Sequence, residues 1–217
     1  MRKSTLIAID GPAASGKSSV ARTLARRLRL AYVNSGAMYR AVTWWMLRKG
    51  VNPDDPQSVL ALLPAMPIEY GLDHGVSTIL MAGVDPGEAL FSEVVNQHVS
   101  AIARIPEVRH LLVKRQRAYA DEWDLVMEGR DIGSVVFPDT PYKFYIDASP
   151  DVRARRRAAQ GQRDSITDRD RADTSRKTSP LAISEDAYVI DSSNLTIDGV
   201  VGEIIGRLKL KGMEVPE

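Results

Sequence analysis

The 217-residue sequence predicts an α/β fold with a parallel sheet flanked by helices. Three observations carry that prediction. Leu6-Ile7-Ala8-Ile9-Asp10 is apolar on both faces, as a central parallel strand is, and stops at the turn signal Gly11-Pro12. From Lys17 to Leu30, Val20, Leu24 and Leu28 recur at helical spacing while Arg22, Arg26, Arg27 and Arg29 take other faces. Further along, short apolar runs alternate with helical stretches of about 10–15 residues, the pattern of parallel strands joined by helical crossovers.

The remaining elements follow in order. Ala31-Tyr32-Val33 reads as a short strand, and Ser35-Gly36 opens a helix that stops at Gly50. Residues 51 to about 100 change texture: Pro53, Pro56, Pro64, Pro67 and Pro86 interrupt them. Within this stretch Ile68–Tyr70, Ser77–Met81 and Ala82–Val84 read as short strands of an inserted subdomain. A helix is expected from about Pro106 to Asp121, then strands at Asp124–Glu128 and Lys143–Asp147. Ser149-Pro150-Asp151 has the residues of a helix start, with serine as N-cap and proline in the first turn. Residues 160–178 are polar and aperiodic, which suits a loop or a mobile cover. Ala187–Asp191 is a last strand, and Asp198 is expected to cap a helix running to about Lys211. The parallel core therefore has five strands.

Composition excludes several classes. There are 29 Lys+Arg against 28 Asp+Glu, a net charge of +1, so no global field draws the protein to nucleic acid or to an anionic membrane. With no cysteine, disulfides, cysteine-ligated zinc and thiol catalysis are ruled out, and a reducing cytoplasm is the compatible setting. No apolar run approaches the ~18 residues of a membrane span, and the N-terminus lacks the apolar core of a signal peptide.

Gly11-Pro12-Ala13-Ala14-Ser15-Gly16-Lys17-Ser18 matches G-x-x-x-x-G-K-[ST] at every fixed position. It follows a predicted strand and opens a predicted helix, the context a phosphate-binding loop requires. Glycines let backbone N–H groups turn toward phosphate oxygens, and the helix N-terminus adds partial positive charge. Lys17 is suited to the β- and γ-phosphates of a nucleoside triphosphate, and the Ser18 hydroxyl to Mg²⁺. Such a loop leaves ATPase, GTPase and kinase open; the N-K-x-D motif of a GTP switch is absent. Arginines narrow the choice. They cluster at Ser35–Arg40, Glu128–Asp131, Arg153–Arg157 and Arg169–Arg176, mostly after strands or at helix starts. That is the carboxyl edge of a parallel sheet, where ligands bind. Transfer of phosphoryl between two anions needs such an array to neutralise their shared charge.

The chain resembles the bacterial cytidylate (CMP) kinases of the nucleoside monophosphate kinase group. The resemblance rests on Ile9-Asp10-Gly11-Pro12, Ser35-Gly36-Ala37-Met38-Tyr39-Arg40-Ala41, Gly129-Arg130-Asp131-Ile132-Gly133-Ser134-Val135-Val136-Phe137-Pro138, and Arg169-Asp170 with Asp173, Arg176, Pro180 and Leu181. It implies a P-loop kinase transferring phosphoryl from ATP, with Mg²⁺, to CMP or dCMP. It also implies a core of residues 1–34, 101–157 and 179–217, a monophosphate-binding region with its insert at 35–100, and a short lid at 158–178.

By the same resemblance, Gly11 through Ser19 would hold ATP, with Arg153, Arg156 and Arg157 clamping its phosphates. Ser35, Arg40, Arg130 and Arg176 would hold the CMP phosphate. Ser100, Arg109 and Asp131 would read cytosine, and Arg169 and Asp173 would face the ribose. Lys17, Arg130, Arg157 and Arg176 would be the catalytic cations, and Ser18 would meet Mg²⁺ bound mainly by phosphates and water. Cytosine offers an amino donor and ring acceptors, which a carboxylate beside arginine and hydroxyl donors can match. No nucleic acid or membrane partner is implied, and a cytoplasmic monomer is expected.

Two positions and one length depart from the family pattern. Asn34 stands where an aspartate is common, and Glu128 where an aspartate is often seen, though it could still order a Mg²⁺-bound water. The stretch between Arg157 and Arg169 is shorter by about one to three helical turns. A small-molecule P-loop kinase of other specificity, or a nucleotide-dependent switch protein, would keep Lys17 and Ser18 without needing the Ser100, Arg109 and Asp131 set. His74, His98 and His110 have no metal-binding spacing, and Trp44-Trp45 reads as core packing.

Overall fold

The computed structural model describes residues 4–159, 171, 174 and 181–216. At its centre lies β1 (Leu6–Asp10), buried along its whole length. It pairs in parallel with β5 (Leu125–Gly129) on one side and β6 (Tyr142–Asp147) on the other. β2 (Ala31–Asn34) continues the sheet beyond β5, and β7 (Tyr188–Asp191) beyond β6. These five parallel strands are the expected ones.

Among the described residues the sheet has seven strands, which corrects the five-stranded expectation. A hairpin of β3 (Ile68–Asp73) and β4 (Val76–Met81) extends it past β2. The junction is short: Tyr32 aligns with Val76, and the Tyr32 N–H donates to Gly75 O at 2.7 Å. Without it β2 would be an edge with unsatisfied backbone groups. Ala82–Val84 is a turn and not a third strand. Ala82 and Gly83 both take positive φ, and Val84 folds back to bridge Met81.

Helices cover both faces. One layer holds α1 (Lys17–Leu28) and the C-terminal helix α7 (Ile197–Leu210), packed on Ile7, Ile9, Val126 and Phe144. The other holds α2 (Ser35–Arg48), α4 (Glu93–Ile102) and α5 (Pro106–Glu122) against Leu6, Ala8, Val33 and Met127. Insert residues Val59, Ile79, Met81, Leu90 and Val99 belong to this second core, so the insert shares the core of the main sheet. Helices α3 (Pro56–Leu62) and α4 are not expected from the sequence. Pro56 reads as a breaker, yet it sits in the first turn of α3 behind the cap Asp55, where its missing N–H costs nothing. α6 (Pro150–Ala159) follows β6. Thr196 caps α7, accepting from Gly199 N at 3.1 Å; Asp198, expected in that role, lies inside the helix and pairs with Arg27.

Trp44 and Trp45 pack half-buried against the second core, with Arg48 and Lys49 over their rings. His74 and His110 are exposed, and His98 meets Asp54 at 2.9 Å.

Candidate active site

The parallel register brings the C-terminal ends of β1, β2 and β5 to one edge: Asp10 aligns with Gly129, and Asn34 with Glu128. The segments that leave these ends enclose a cleft of about 360 Å³.

The segment after β1 wraps into α1. Gly11 has φ 153° and Gly16 φ 92°. A Cβ on Gly11 would collide with the Ile146 carbonyl, so glycine is required twice over, by conformation and by space. Ala13, Ala14, Gly16, Lys17, Ser18 and Ser19 line the cleft. Lys17 is buried, and its ammonium donates to Pro12 O at 2.9 Å. Gly11, Pro12 and Ser15 form the loop behind this lining.

The three arginines of α6 divide. Arg157 lines the cleft. Arg153 is buried and donates to Ala148 O at 3.0 Å and Ala13 O at 3.4 Å. Arg156 donates to Ser15 O at 3.2 Å, Ser192 Oγ at 3.0 Å and Ser192 O at 2.8 Å. Ser192 Oγ in turn donates to Ser15 O at 2.8 Å. Neither Arg153 nor Arg156 lines the cleft in this structure. Expected as phosphate clamps, they hold the outer carbonyls of the loop. A loop that turns its N–H groups inward must turn carbonyls outward, and guanidinium groups are well suited to satisfy them.

Across the cleft, α2 starts at the end of β2. Asn34 caps it, its side chain accepting from Ala37 N at 3.0 Å, a task a neutral amide performs as well as a carboxylate. Ser35 Oγ donates to Glu128 O at 2.7 Å. Glu128 is buried and lines the cleft, and the Tyr32 hydroxyl donates to its Oε1 at 2.9 Å. Burial, with the neighbouring Glu128 charge, raises the Tyr32 pKa and keeps that hydroxyl protonated. Arg40 lines the same wall, donating to Asn96 Oδ1 at 2.5 Å and Leu90 O at 3.3 Å with its guanidinium over Phe91.

Beyond β5, Arg130 and Asp131 line the cleft and lead into a π-helical turn, Ile132–Val136. Arg109, from α5, donates to Asp131 Oδ2, with both side chains buried, and lies over the Tyr39 ring. Its second terminal nitrogen, Nη1, is buried with no protein partner among the described residues, and Arg109 itself does not line the cleft. Ser100, on α4, lines the cleft beside Val99 and Ala103. Arg169, Asp173 and Arg176 lie outside the described residues.

Sequence reasoning missed three contributors: Asp10, Asn96 and Tyr39. Asp10 ends an otherwise apolar strand, which is a readable sign of a polar task; Asn96 and Tyr39 carry no comparable local signal. The cleft also has the donors a phosphate-bound divalent ion needs, with the Ser18 hydroxyl and the Glu128 carboxylate on its lining. Among the described residues no group of three or more His, Asp or Glu side chains could hold a metal ion.

A family model described as cytidylate kinase matches residues 7–210. The chain belongs to the cytidylate kinase family. A cytidylate kinase of Clostridium botulinum (strain Loch Maree / Type A3) is 41% identical over 214 residues, spanning 94% of this chain and 97% of that one. One of Corynebacterium efficiens is 43% identical over 212 residues, 92% of each chain. One of Streptomyces avermitilis is 40% identical over 205 residues, covering 90% of this chain and 89% of its own. Membership of the cytidylate kinase family spans both walls of the cleft, from the loop after β1 to α7.

Proposed function

We propose that the protein transfers the γ-phosphoryl group of ATP to CMP or dCMP, yielding ADP and CDP or dCDP. The observation that carries the cytosine assignment is Asp131 on the cleft lining opposite the phosphate loop, its buried carboxylate paired with Arg109, which stands outside that lining. Asp131 can accept from the cytosine amino group, and Arg109 behind it orients that carboxylate and adds positive charge near the ring acceptors. Ser100 offers a hydroxyl on the lining of the same cleft.

ATP binds with its phosphates in the loop of Gly11 to Ser19, Lys17 neutralising the β- and γ-phosphates and Arg157 assisting. The CMP phosphate binds to Ser35, Arg40 and Arg130. Its oxygen attacks the γ-phosphorus, and the bond to the β,γ-bridging oxygen breaks, leaving ADP. The acceptor is already an anion near pH 7, so no protein base is needed. Catalysis consists of alignment and charge neutralisation. Mg²⁺, when bound, neutralises phosphate charge, with Ser18 and Glu128 as the residues that would hold it or its water. By family resemblance Arg176 would add positive charge, Arg169 and Asp173 would meet the ribose, and residues 158–178 would supply the lid; most of that segment lies outside the described residues.

One chain supplies both walls of the cleft, so the site needs no residue from a second copy. Among the described residues no helix is long and apolar enough to cross a membrane. The balanced charge gives no basis for nucleic-acid binding, and the absence of cysteine suits the cytoplasm.

The test is ADP release across the four ribonucleoside monophosphates, with wild type and Asp131→Ala. CMP should lead UMP, and AMP and GMP should be poor. Uracil presents a carbonyl where cytosine has its amino group, leaving Asp131 without a donor. Asp131→Ala should lose kcat/KM for CMP and narrow the CMP/UMP ratio. A wild type that prefers AMP, or an Asp131→Ala variant with discrimination intact, would refute the cytosine assignment.

A further inference from the structure

Asp10 is buried at the end of β1, yet nothing in the transfer reaction calls on it. Its Oδ1 accepts from Ile132 N and its Oδ2 from Gly133 N, each at 2.8 Å. These are the first two amides of the π-helical turn that directly follows Arg130 and Asp131. The opening amides of a helical turn have no partner within it. Buried here, they need an acceptor supplied from elsewhere, or each costs the penalty of an unmet donor.

We propose that Asp10 is a positioning residue for the monophosphate substrate, holding Arg130 and Asp131 in place through the two amides that follow them. The proposal rests on the reading that Arg130 and Asp131 contact CMP.

Asp10 is anchored by the sheet. Its strand is hydrogen-bonded on both sides, with Gly129 and Tyr145 as register partners. The segment it holds is packed tightly. A Cβ on Gly133 would lie 3.1 Å from Lys143 Cγ and 3.4 Å from Asp10 Oδ2. A Cβ on Gly129 would lie 2.5 Å from Ser35 Oγ, so Gly129 lets α2 close against β5. Arg130 and Asp131 are thus fastened on one side by the sheet and on the other by Asp10. Only a carboxylate presents two acceptors without a donor; asparagine would turn an NH₂ toward one of the amides. Asp10 also precedes Gly11, so the residue that holds the CMP side is joined by one peptide bond to the loop assigned to ATP.

The experiment compares wild type, Asp10→Asn and Asp131→Ala by amide hydrogen exchange and by steady-state kinetics, at a pH above about 8 where the Asp10 carboxyl is ionised. In Asp10→Asn the Ile132 and Gly133 amides should exchange at least about 10-fold faster, and KM for CMP should rise about 10-fold or more, the scale of one lost charged hydrogen bond. KM for ATP should stay within about twofold, and the CMP/UMP ratio should narrow. A folded Asp10→Asn variant with unchanged exchange at these amides, or with lower stability but unchanged KM for CMP, overturns the proposal. Should Asp10→Asn not fold, Asp10→Glu keeps the charge and displaces both acceptors by a methylene; the same rise in KM is expected, and normal KM refutes the idea. If Asp131→Ala keeps its discrimination, the cytosine reading fails, and the exchange rates still report whether Asp10 holds the turn.

Discussion

Arg40 and Asn96, 56 residues apart in sequence, are joined by a hydrogen bond of 2.5 Å from guanidinium Nη1 to amide Oδ1. The amide orientation is set from its other side, because Asn96 Nδ2 donates to Phe91 O at 2.9 Å. Phe91 in turn lies beneath the Arg40 guanidinium. A residue of α2 assigned to the CMP phosphate is therefore held by the insert.

Asn96→Ala should leave Arg40 on the cleft wall without that orienting acceptor. Hydrogen bonds to charged groups contribute about 1.5–3 kcal/mol, so KM for CMP should rise roughly 10-fold or more. KM for ATP should hardly move. Equal rises for both substrates would place the effect in the fold at large and not in Arg40.

Lys17→Ala should fold, since Lys17 belongs to neither apolar core, and should lose at least ~10²-fold in kcat, the scale for one preorganised charge stabiliser. Circular dichroism establishes folding and single-turnover kinetics the chemical step. Near-normal turnover would remove Lys17 from phosphoryl transfer.

Arg156 distinguishes bracing from clamping. If it holds the loop through Ser15 O and Ser192, Arg156→Ala should raise KM for ATP about 10-fold and leave the CMP/UMP ratio unchanged. A direct contact to the transferring phosphoryl would instead cost kcat by ~10² or more, with little change in KM.

Asp10 also makes a prediction about pH. Burial pushes its carboxyl from 3.8 up to about 7; Ile132 and Gly133 N–H groups oppose this, Asp131 adds to it and Arg130 reduces it. A carboxyl raised on folding binds its proton more tightly in the native state. Its contribution to stability is present below about pH 4 and is lost as pH rises toward 7. Urea unfolding of wild type and Asp10→Asn across this range should show the wild-type advantage shrinking, by at most about 1.4 kcal/mol per pH unit. An advantage that grows with pH would mean the two amides outweigh burial.

Sequence by itself determined the phosphate loop, the five parallel strands and the positions of the arginine clusters. Each of these is written locally: a motif between a strand and a helix, an apolar run, a charged residue beside a strand end. Tertiary structure decided which way those arginines face. Arg153, Arg156 and Arg157 occupy one helix within five residues, yet two reach the outer carbonyls of the loop and one the cleft. It also decided that the hairpin at Ile68–Met81 joins the main sheet, that Asn96 meets Arg40, and that Asp10 meets Ile132 and Gly133 across more than 120 residues. Periodicity and spacing report which face of an element is buried. Which buried donor finds which acceptor depends on how separate elements pack, and a one-dimensional pattern does not contain that distance.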